Sequence, residues 1–245
     1  MNTSAKFDFS GSHVLVTGGS NGIGNAIAIA FRDSGAEVTI TGRNADGKYD
    51  TDIKAMRYQA LDMRDKAGIE ALAQSLPKLN VLVNCAGIAA PGGKSEYDPD
   101  VFAETLAVNL TGSFRMATAV LPQLKESKGN VINTASMSSY SSLPGVPGYG
   151  ASKAGVVQMT MTLAESWARF GVRVNAFAPG WVSTNMTRGA ENNEAYSNRL
   201  IEHTPMRRWG KPSEMAGTAL FLASDAASFI TGVTIPVDGG FKAVM

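Results

Sequence analysis

Short apolar runs recur along this chain, and stretches with helical spacing separate them. His13–Thr17 (HVLVT), Glu37–Thr41 (EVTIT), Met56–Ala60, Val81–Asn84, Asn130–Thr134, Val172–Ala178 and a last run near Thr234–Val237 read as strands. Between them lie helical patterns at Asn25–Phe31, Asp65–Leu76, Pro99–Leu124 (bent near Thr111-Gly112), Tyr149–Phe170 and Pro212–Ala223. Strands separated by helices build parallel βαβ units with right-handed crossovers. The pattern therefore predicts an α/β fold, a doubly wound parallel sheet with helices on both faces. No composition shift or linker divides the chain, so residues 1–245 form a single domain in this reading. The segment Arg43–Lys54, with Asp46, Asp50 and Asp52, is too polar for a second crossover helix, so a short or irregular connection is expected. The segment Trp181–Arg208 also reads as irregular, and residues 181–210 are where a substrate lid is expected.

Composition narrows the function. With 22 Lys+Arg against 21 Asp+Glu, the net charge of +1 offers no footprint for nucleic acid and no basic patch for a membrane surface. No apolar run approaches the ~18 residues a membrane span needs. Cys85 is the single cysteine, and His13 and His203 are the two histidines, so neither a disulfide framework nor a Cys/His metal site is expected. The stretch Met1–Gly11 lacks the apolar core of a signal peptide. A cytoplasmic protein acting on a small molecule is the expectation.

Thr17–Gly24 (TGGSNGIG) follows the first strand and opens the first helix. Glycines there let backbone N–H groups approach a pyrophosphate at a helix N-terminus. The spacing of Gly18, Gly22 and Gly24 is GxxxGxG, not the commoner GxGxxG. Two other readings fit the same residues. Gly18–Gly22 also matches a G-x-S-x-G nucleophile elbow, which would make Ser20 the nucleophile of a hydrolase with His203 as its base. The third is a plain strand-to-helix turn.

Tyr149 and Lys153 stand four residues apart on the long helix and project from one face. A phenol ordinarily loses its proton near pH ~10. A nearby ammonium favours the phenolate, so Lys153 is expected to pull the Tyr149 pKa down and make it a usable acid or base. Ser136 closes the fifth strand, where its hydroxyl can hydrogen-bond a substrate carbonyl, with Ser138 as the fallback in the same serine-rich run.

Taken with these, Asp62 after the third strand, NCAG at Asn84–Gly87, Asn109 in VNLTG, Pro179-Gly180, Thr184 and VDGG at Val237–Gly240 complete a pattern. From about Phe7 to Gly240 the chain resembles the short-chain dehydrogenase/reductase family in its compact single-domain subtype, which implies a Rossmann-like fold and an NAD(P)-dependent interconversion of a secondary alcohol and a ketone. The resemblance implies Asn109, Ser136, Tyr149 and Lys153 as the catalytic residues. Tyr149 would be the general acid or base, Ser136 would hold the reacting oxygen, and Lys153 would bind the nicotinamide ribose. Asn109 would interrupt its helix and hold a water linked to Lys153. The cofactor would be bound by Gly18, Ser20, Asn21, Gly22, Ile23 and Gly24, by Arg43, by Asp62 and Met63, and by Asn84, Ala86 and Gly87. Tyr149, Lys153, Pro179, Gly180, Val182 and Thr184 would complete that set, with no metal. A homo-oligomer, commonly a tetramer, is likewise implied. A non-catalytic nucleotide sensor of the same fold would be expected to lose Tyr149 or Lys153, and this chain has both.

Two departures stand out. Cys85 replaces a second asparagine of the family's fourth-strand motif, and a thiol cannot make an amide's hydrogen bonds, so the middle of the sheet is expected to be held differently. At the end of the second strand, where NAD-specific relatives carry an acidic residue, stands Gly42, followed by Arg43. A guanidinium there suits a 2′-phosphate, so NADP is expected over NAD, unless Asp46, Asp50 or Asp52 folds onto the ribose or pairs with Arg43.

Overall fold

The computed structural model describes residues 6–44 and 51–244. Among these, strands β1 (His13–Thr17), β2 (Glu37–Gly42), β3 (Arg57–Ala60), β4 (Val81–Asn84), β5 (Asn130–Thr134), β6 (Arg173–Pro179) and β7 (Thr234–Val237) form one parallel sheet. The helices are α1 (Gly22–Asp33), α2 (Lys66–Ser75), α3 (Pro99–Leu106), α4 (Ser113–Ala119), α5 (Leu121–Ser127), α6 (Pro147–Ala168), α7 (Arg188–Asn192), α8 (Glu194–Glu202) and α9 (Pro212–Ala223). Strand order is β3-β2-β1-β4-β5-β6-β7, the doubly wound order expected from the alternation.

Side chains that alternate along each strand meet two different cores. Val14, Val16, Val38, Ile40 and Val83 pack under α1 and α9, against Ile27, Phe31, Met215 and Leu222. Leu15, Leu82, Val131 and Val174 face the opposite side, under Ile69, Met116, Leu163 and Trp167 of α2, α4 and α6. Both faces of the central strands are thus dry, which is why these strands read as continuous apolar runs.

The chain leaves β1 toward β2 on one side and returns to β4 on the other. That reversal opens a crevice beyond the C-terminal ends of β1 and β4, the usual ligand position in open α/β sheets. The register sets those ends level, with Thr17 opposite Asn84, Asn84 opposite Asn133, and Thr134 opposite Phe177.

Cys85 leaves the centre of the sheet held by its neighbours. The backbone N–H groups of Cys85 and Ala86 donate to Thr17 Oγ1 at 3.1 and 3.2 Å. Asn84 Nδ2 donates to Asn133 Oδ1 at 3.0 Å and to the Ser113 carbonyl at 3.2 Å, while Asn133 Nδ2 donates to Thr160 Oγ1 at 3.0 Å.

Three expectations need correction. The stretch expected as one helix from Pro99 to Leu124 is broken into α3, a π-helical turn at Ala107–Gly112, α4 and α5. The wide turn ends on the expected bend at Thr111-Gly112. Gly112 permits a close pass there, since a Cβ on it would lie 2.7 Å from the Met63 carbonyl. The long helix starts earlier than expected, at Pro147, whose fixed φ and missing N–H suit a first helical position. Finally, the segment expected to be irregular after Trp181 folds into α7 and α8, with Asn193 capping α8 by accepting from the Tyr196 N–H. Of the polar connection after β2, residues 45–50, with Asp46 and Asp50, lie outside the described residues.

Phe31 is fully buried and meets Phe9 edge-on at 4.9 Å. Replacing Phe31 by Ala should cost ~3–5 kcal/mol in chemical denaturation with the far-UV spectrum unchanged. A loss below about 1 kcal/mol would show that this core does not hold α1 to the sheet.

Candidate active site

Backbone, more than side chain, shapes the floor of the crevice at the start of α1. Gly18 has φ +68°, and a Cβ on it would sit 2.8 Å from Ala86 Cα. A Cβ on Gly24 would strike the Gly18 carbonyl. The turn is thus pressed against β4 on one side and against its own helix on the other. Asn21, the N-cap of α1, makes no capping bond to the helix, and the first turn carries no acidic side chain. Instead, Asn21 Oδ1 accepts from Asn185 Nδ2 at 2.9 Å, across to the segment after β6. The first N–H groups of α1 face a cavity of about 550 Å³ lined by Gly18, Ser20, Asn21, Gly22, Ile23 and Gly24.

At the other end of the same cavity stand Ser136, Tyr149 and Lys153. Lys153 is buried and donates from Nζ to the Thr134 carbonyl at 2.7 Å, while its ammonium lies 5.7 Å from the Tyr149 ring centroid. Burial pushes the Lys153 amine down to about 8. The Ser136 hydroxyl beside the Tyr149 phenol favours its ionised form. Ser136 Oγ also accepts from the Ser138 N–H at 3.2 Å, which leaves its own proton to donate outward. Ser138 therefore orients Ser136 and does not replace it.

The expectation that Lys153 depresses Tyr149 is not met. Burial outweighs the Ser136 hydroxyl and holds the phenol above its ordinary value, with the nearby Cys85 and Glu96 acting in the same direction. Lys153 instead spends a hydrogen bond on the Thr134 carbonyl.

Asn109 does not line the cavity. It is fully buried on the π-helical turn, with Oδ1 accepting from the Ile88 N–H and Nδ2 donating to the Ile88 carbonyl and to Ser152 Oγ. Its amide locks the strand end after β4 to α6, one residue before Lys153.

A family profile described as Enoyl-(Acyl carrier protein) reductase matches residues 18–242. The chain is 32% identical to a 2-dehydro-3-deoxy-D-gluconate 5-dehydrogenase of Pseudoalteromonas atlantica, over 96% of this chain and 98% of that protein. It is 36% identical to a D-threitol dehydrogenase of Mycolicibacterium smegmatis, over 97% of this chain and 96% of that one. A gluconate 5-dehydrogenase of Burkholderia cenocepacia, solved in complex with NADP and tartrate, superposes with a TM-score of 0.88 at 31% identity and 98% coverage of both chains. This chain belongs to the short-chain dehydrogenase/reductase family.

As a short-chain dehydrogenase/reductase it is an oxidoreductase acting between CH–OH and C=O groups. Its third region, beyond β2 and β3, brings Arg43, Asp62 and Met63 to the cavity wall. Asp62 does not cap α2; Asp65 does, accepting from the Gly68 N–H at 3.0 Å. The Arg64 guanidinium grips Asp62 at 2.6 Å and holds its carboxyl below the usual range. Asp52 is occupied by Arg32 at 2.8 Å, so it does not turn to Arg43. Ala86, Gly87, Pro179, Gly180, Val182 and Thr184 also line the cavity. Asn84 does not, because its side chain is spent inside the sheet on Asn133 and Ser113. Sequence reasoning missed Asn185, which lines the cavity from the segment after β6 beside Met186, and Arg64 at the far end.

The hydrolase reading of Ser20 fails on geometry. His203 is exposed at the end of α8, with Nδ1 against the Arg199 carbonyl at 2.8 Å, and it has no place on the cavity wall. His13, the other histidine, faces Glu37 at the far end of β1. Ser20 has no base.

Burial of the Lys153 ammonium is a stability cost with a definite sign. Its folded value of about 8 lies below the unfolded 10.5, so the unfolded chain binds more protons between those values and stability rises with pH there. Wild-type protein should gain on the order of 2 kcal/mol in denaturant unfolding between pH 8 and 10. In Lys153→Met that slope should vanish and stability at pH 7 should rise. A flat wild-type profile would mean that Lys153 is not held desolvated.

Proposed function

We propose that this enzyme interconverts a secondary alcohol and a ketone, with NADP as its preferred dinucleotide, NAD as the alternative, and Tyr149 as the proton-transferring group. The observation that carries the reading is the Ser136–Tyr149–Lys153 cluster at the C-terminal ends of β5 and α6's first turns, at one end of a cavity whose other wall is a glycine turn. The residues present fit a dinucleotide. Gly18 and Gly24 leave no room for side chains, and the first N–H groups of α1 carry neither a side-chain cap nor a carboxylate, which suits a pyrophosphate. When bound, the nicotinamide supplies the hydride acceptor or donor.

The chain's own residues do the rest. Ser136 donates to the substrate oxygen, whose developing charge it stabilises during reduction. Tyr149 gives its phenolic proton to that oxygen, or takes the alcohol's proton in the reverse direction. Lys153, fixed by Thr134, holds positive charge beside the phenol and reaches the ribose side of the cavity, while Asn109 keeps Ile88 and Ser152 in place around it. Ser20 to Gly24 would hold the pyrophosphate, Asp62 and Met63 the adenine, and Pro179 to Thr184 the carboxamide. Residues 181–210, with Met186 exposed at the cavity mouth, would form the lid over the substrate. The names of the relatives favour a small polyol or sugar acid as substrate. An acyl thioester, suggested by the family profile, is the runner-up, and a panel of both against NADP and NAD decides between them. By resemblance, the working form would be a cytoplasmic homotetramer.

Replacing Tyr149 by Phe keeps the ring and removes the proton. Turnover should fall by ~10²-fold or more with dinucleotide binding largely retained. Near wild-type turnover in Tyr149→Phe would remove Tyr149 from the mechanism.

Dinucleotide choice rests on β2's end. Any side chain at Gly42 would press on the Ser20 hydroxyl, so the acidic residue of NAD users has no seat there. Arg43 follows, exposed on the cavity wall. A charge-assisted bond to a 2′-phosphate should favour NADP roughly 10- to 150-fold in kcat/KM. Arg43→Ala should erase most of that preference while leaving NAD turnover nearly unchanged. Equal or better use of NAD by the wild type would overturn the assignment.

A further inference from the structure

Glu96 is a buried carboxylate with no place in the chemistry so far described. It is 1% exposed, in the loop between β4 and α3. Three donors converge on it. Its Oε1 accepts from the Ala90 N–H at 2.8 Å and from Thr105 Oγ1 at 3.2 Å, and its Oε2 accepts from the Tyr149 N–H at 2.8 Å. Tyr149 is the third residue of α6, so its N–H belongs to the first turn, where no intrahelical partner exists. The N-cap position of α6 is Val146, which has no side-chain oxygen to give. Glu96 therefore caps α6 from a loop more than fifty residues earlier in the chain. A carboxylate is the favourable charge at that end of a helix.

The fit around it is close. A Cβ on Gly148 would lie 3.2 Å from Glu96 Oε2 and 3.2 Å from the Phe102 ring, so the glycine before Tyr149 lets the carboxylate approach. At the other end of the bridge, Ala90 is held at φ +42°, a left-handed conformation rare for a residue with a side chain. Its N–H reaches the same carboxylate. The loop that Glu96 ties down begins at Ile88, which lines the cavity and is itself fixed by Asn109.

We propose that Glu96 is a positioning residue for the reaction, a buried anion that fixes the Tyr149 backbone to the cavity-lining loop and sets the electrostatic environment of the phenol. The inference rests on the reading of Tyr149 as the proton-transferring group. The charged or titratable groups that face the phenol are Glu96 from this loop, Cys85 from the end of β4 and Lys153 from α6 itself, with the Ser136 hydroxyl from the end of β5. The Glu96 charge disfavours the phenolate, so its removal moves Tyr149 toward easier ionisation.

Glu96→Gln and Glu96→Asp separate the two roles. The amide keeps the length and one acceptor oxygen but removes the charge. In the alcohol-oxidising direction, the rise of kcat with pH should then shift to lower pH by at least half a unit, with kcat at pH 7 about threefold higher and dinucleotide affinity within about twofold of wild type. Aspartate keeps the charge but withdraws it from Tyr149, so kcat should fall while the pH midpoint stays near the wild-type value. A merely structural residue would lower the unfolding temperature in both variants and leave both pH profiles where they were. Wild-type kcat and midpoint in Glu96→Gln would overturn the proposal. Were that variant not to fold, wild-type kcat in Glu96→Asp would do so. Tyr149→Phe, run alongside, keeps the two readings apart. If it is inactive and Glu96→Gln is unaffected, only the Glu96 proposal falls. If it is active, the reading of Tyr149 falls first.

Discussion

A line of buried polar side chains across the middle of the sheet keeps the site in one piece. It runs from Thr17 on β1, through the backbone of Cys85 and Ala86 and the Asn84 amide on β4, to Asn133 on β5 and Thr160 on α6. Parallel strands bond only through slanted backbone ladders, which permit small sliding between neighbours. Side-chain bonds between strands of fixed register remove that freedom. Because Asn133 reaches Thr160, the same line also sets the height of α6 over the sheet. Tyr149 and Lys153 lie two to three turns nearer the N-terminus of that helix, so the line places them too. The Lys153 bond to the Thr134 carbonyl repeats the connection one residue beyond Asn133.

Around α6 the structure accepts two costs that a purely stabilising design would avoid. Lys153 is desolvated and donates to the Thr134 carbonyl, and burial drives its amine down to about 8. Tyr149 is held above its ordinary value by the same burial. The two shifts move in opposite directions, so the amine, which in water holds its proton about as tightly as the phenol, here gives it up well before the phenol does. A Ser136 hydroxyl on the phenol and a Glu96 carboxylate behind its backbone then pull in opposite directions on the same equilibrium.

Legibility in the sequence followed burial. Strands β1, β4, β5 and β6 are dry on both faces, and their apolar runs delimited them to within a residue or two. At the sheet edge β3 is largely exposed, and its run was correspondingly weak. The π-helical turn was not legible as such, because an extra residue in one turn leaves hydrophobic spacing nearly unchanged; only the glycine marked the region. Short helices α7 and α8 were missed since their sequence is polar and only Ser197 and Leu200 are buried in α8. At the site, Tyr149, Lys153, Ser136 and the glycines could be named from their conjunction and from the family resemblance it carries. Glu96 could not. Beside Asp98 and Asp100 it reads as one more surface acid, and nothing in the local sequence shows that three donors from distant segments close on it.

Placement of polar groups within the fold explains how the chain can carry these costs. Near the N-terminal ends of the strands the buried residues are Val14, Val81, Val131 and Val174, and the core there is aliphatic. Toward the C-terminal ends it becomes Thr17, Asn84, Asn133, Thr134 and Lys153. An aliphatic residue in place of each would remove desolvation penalties, and buried polar networks are often no more stable than well-packed apolar ones. It would also let the strand ends close together and fill the crevice between β1 and β4. The stable half of the sheet therefore supports a half that is held open, and function sits where the fold forgoes packing.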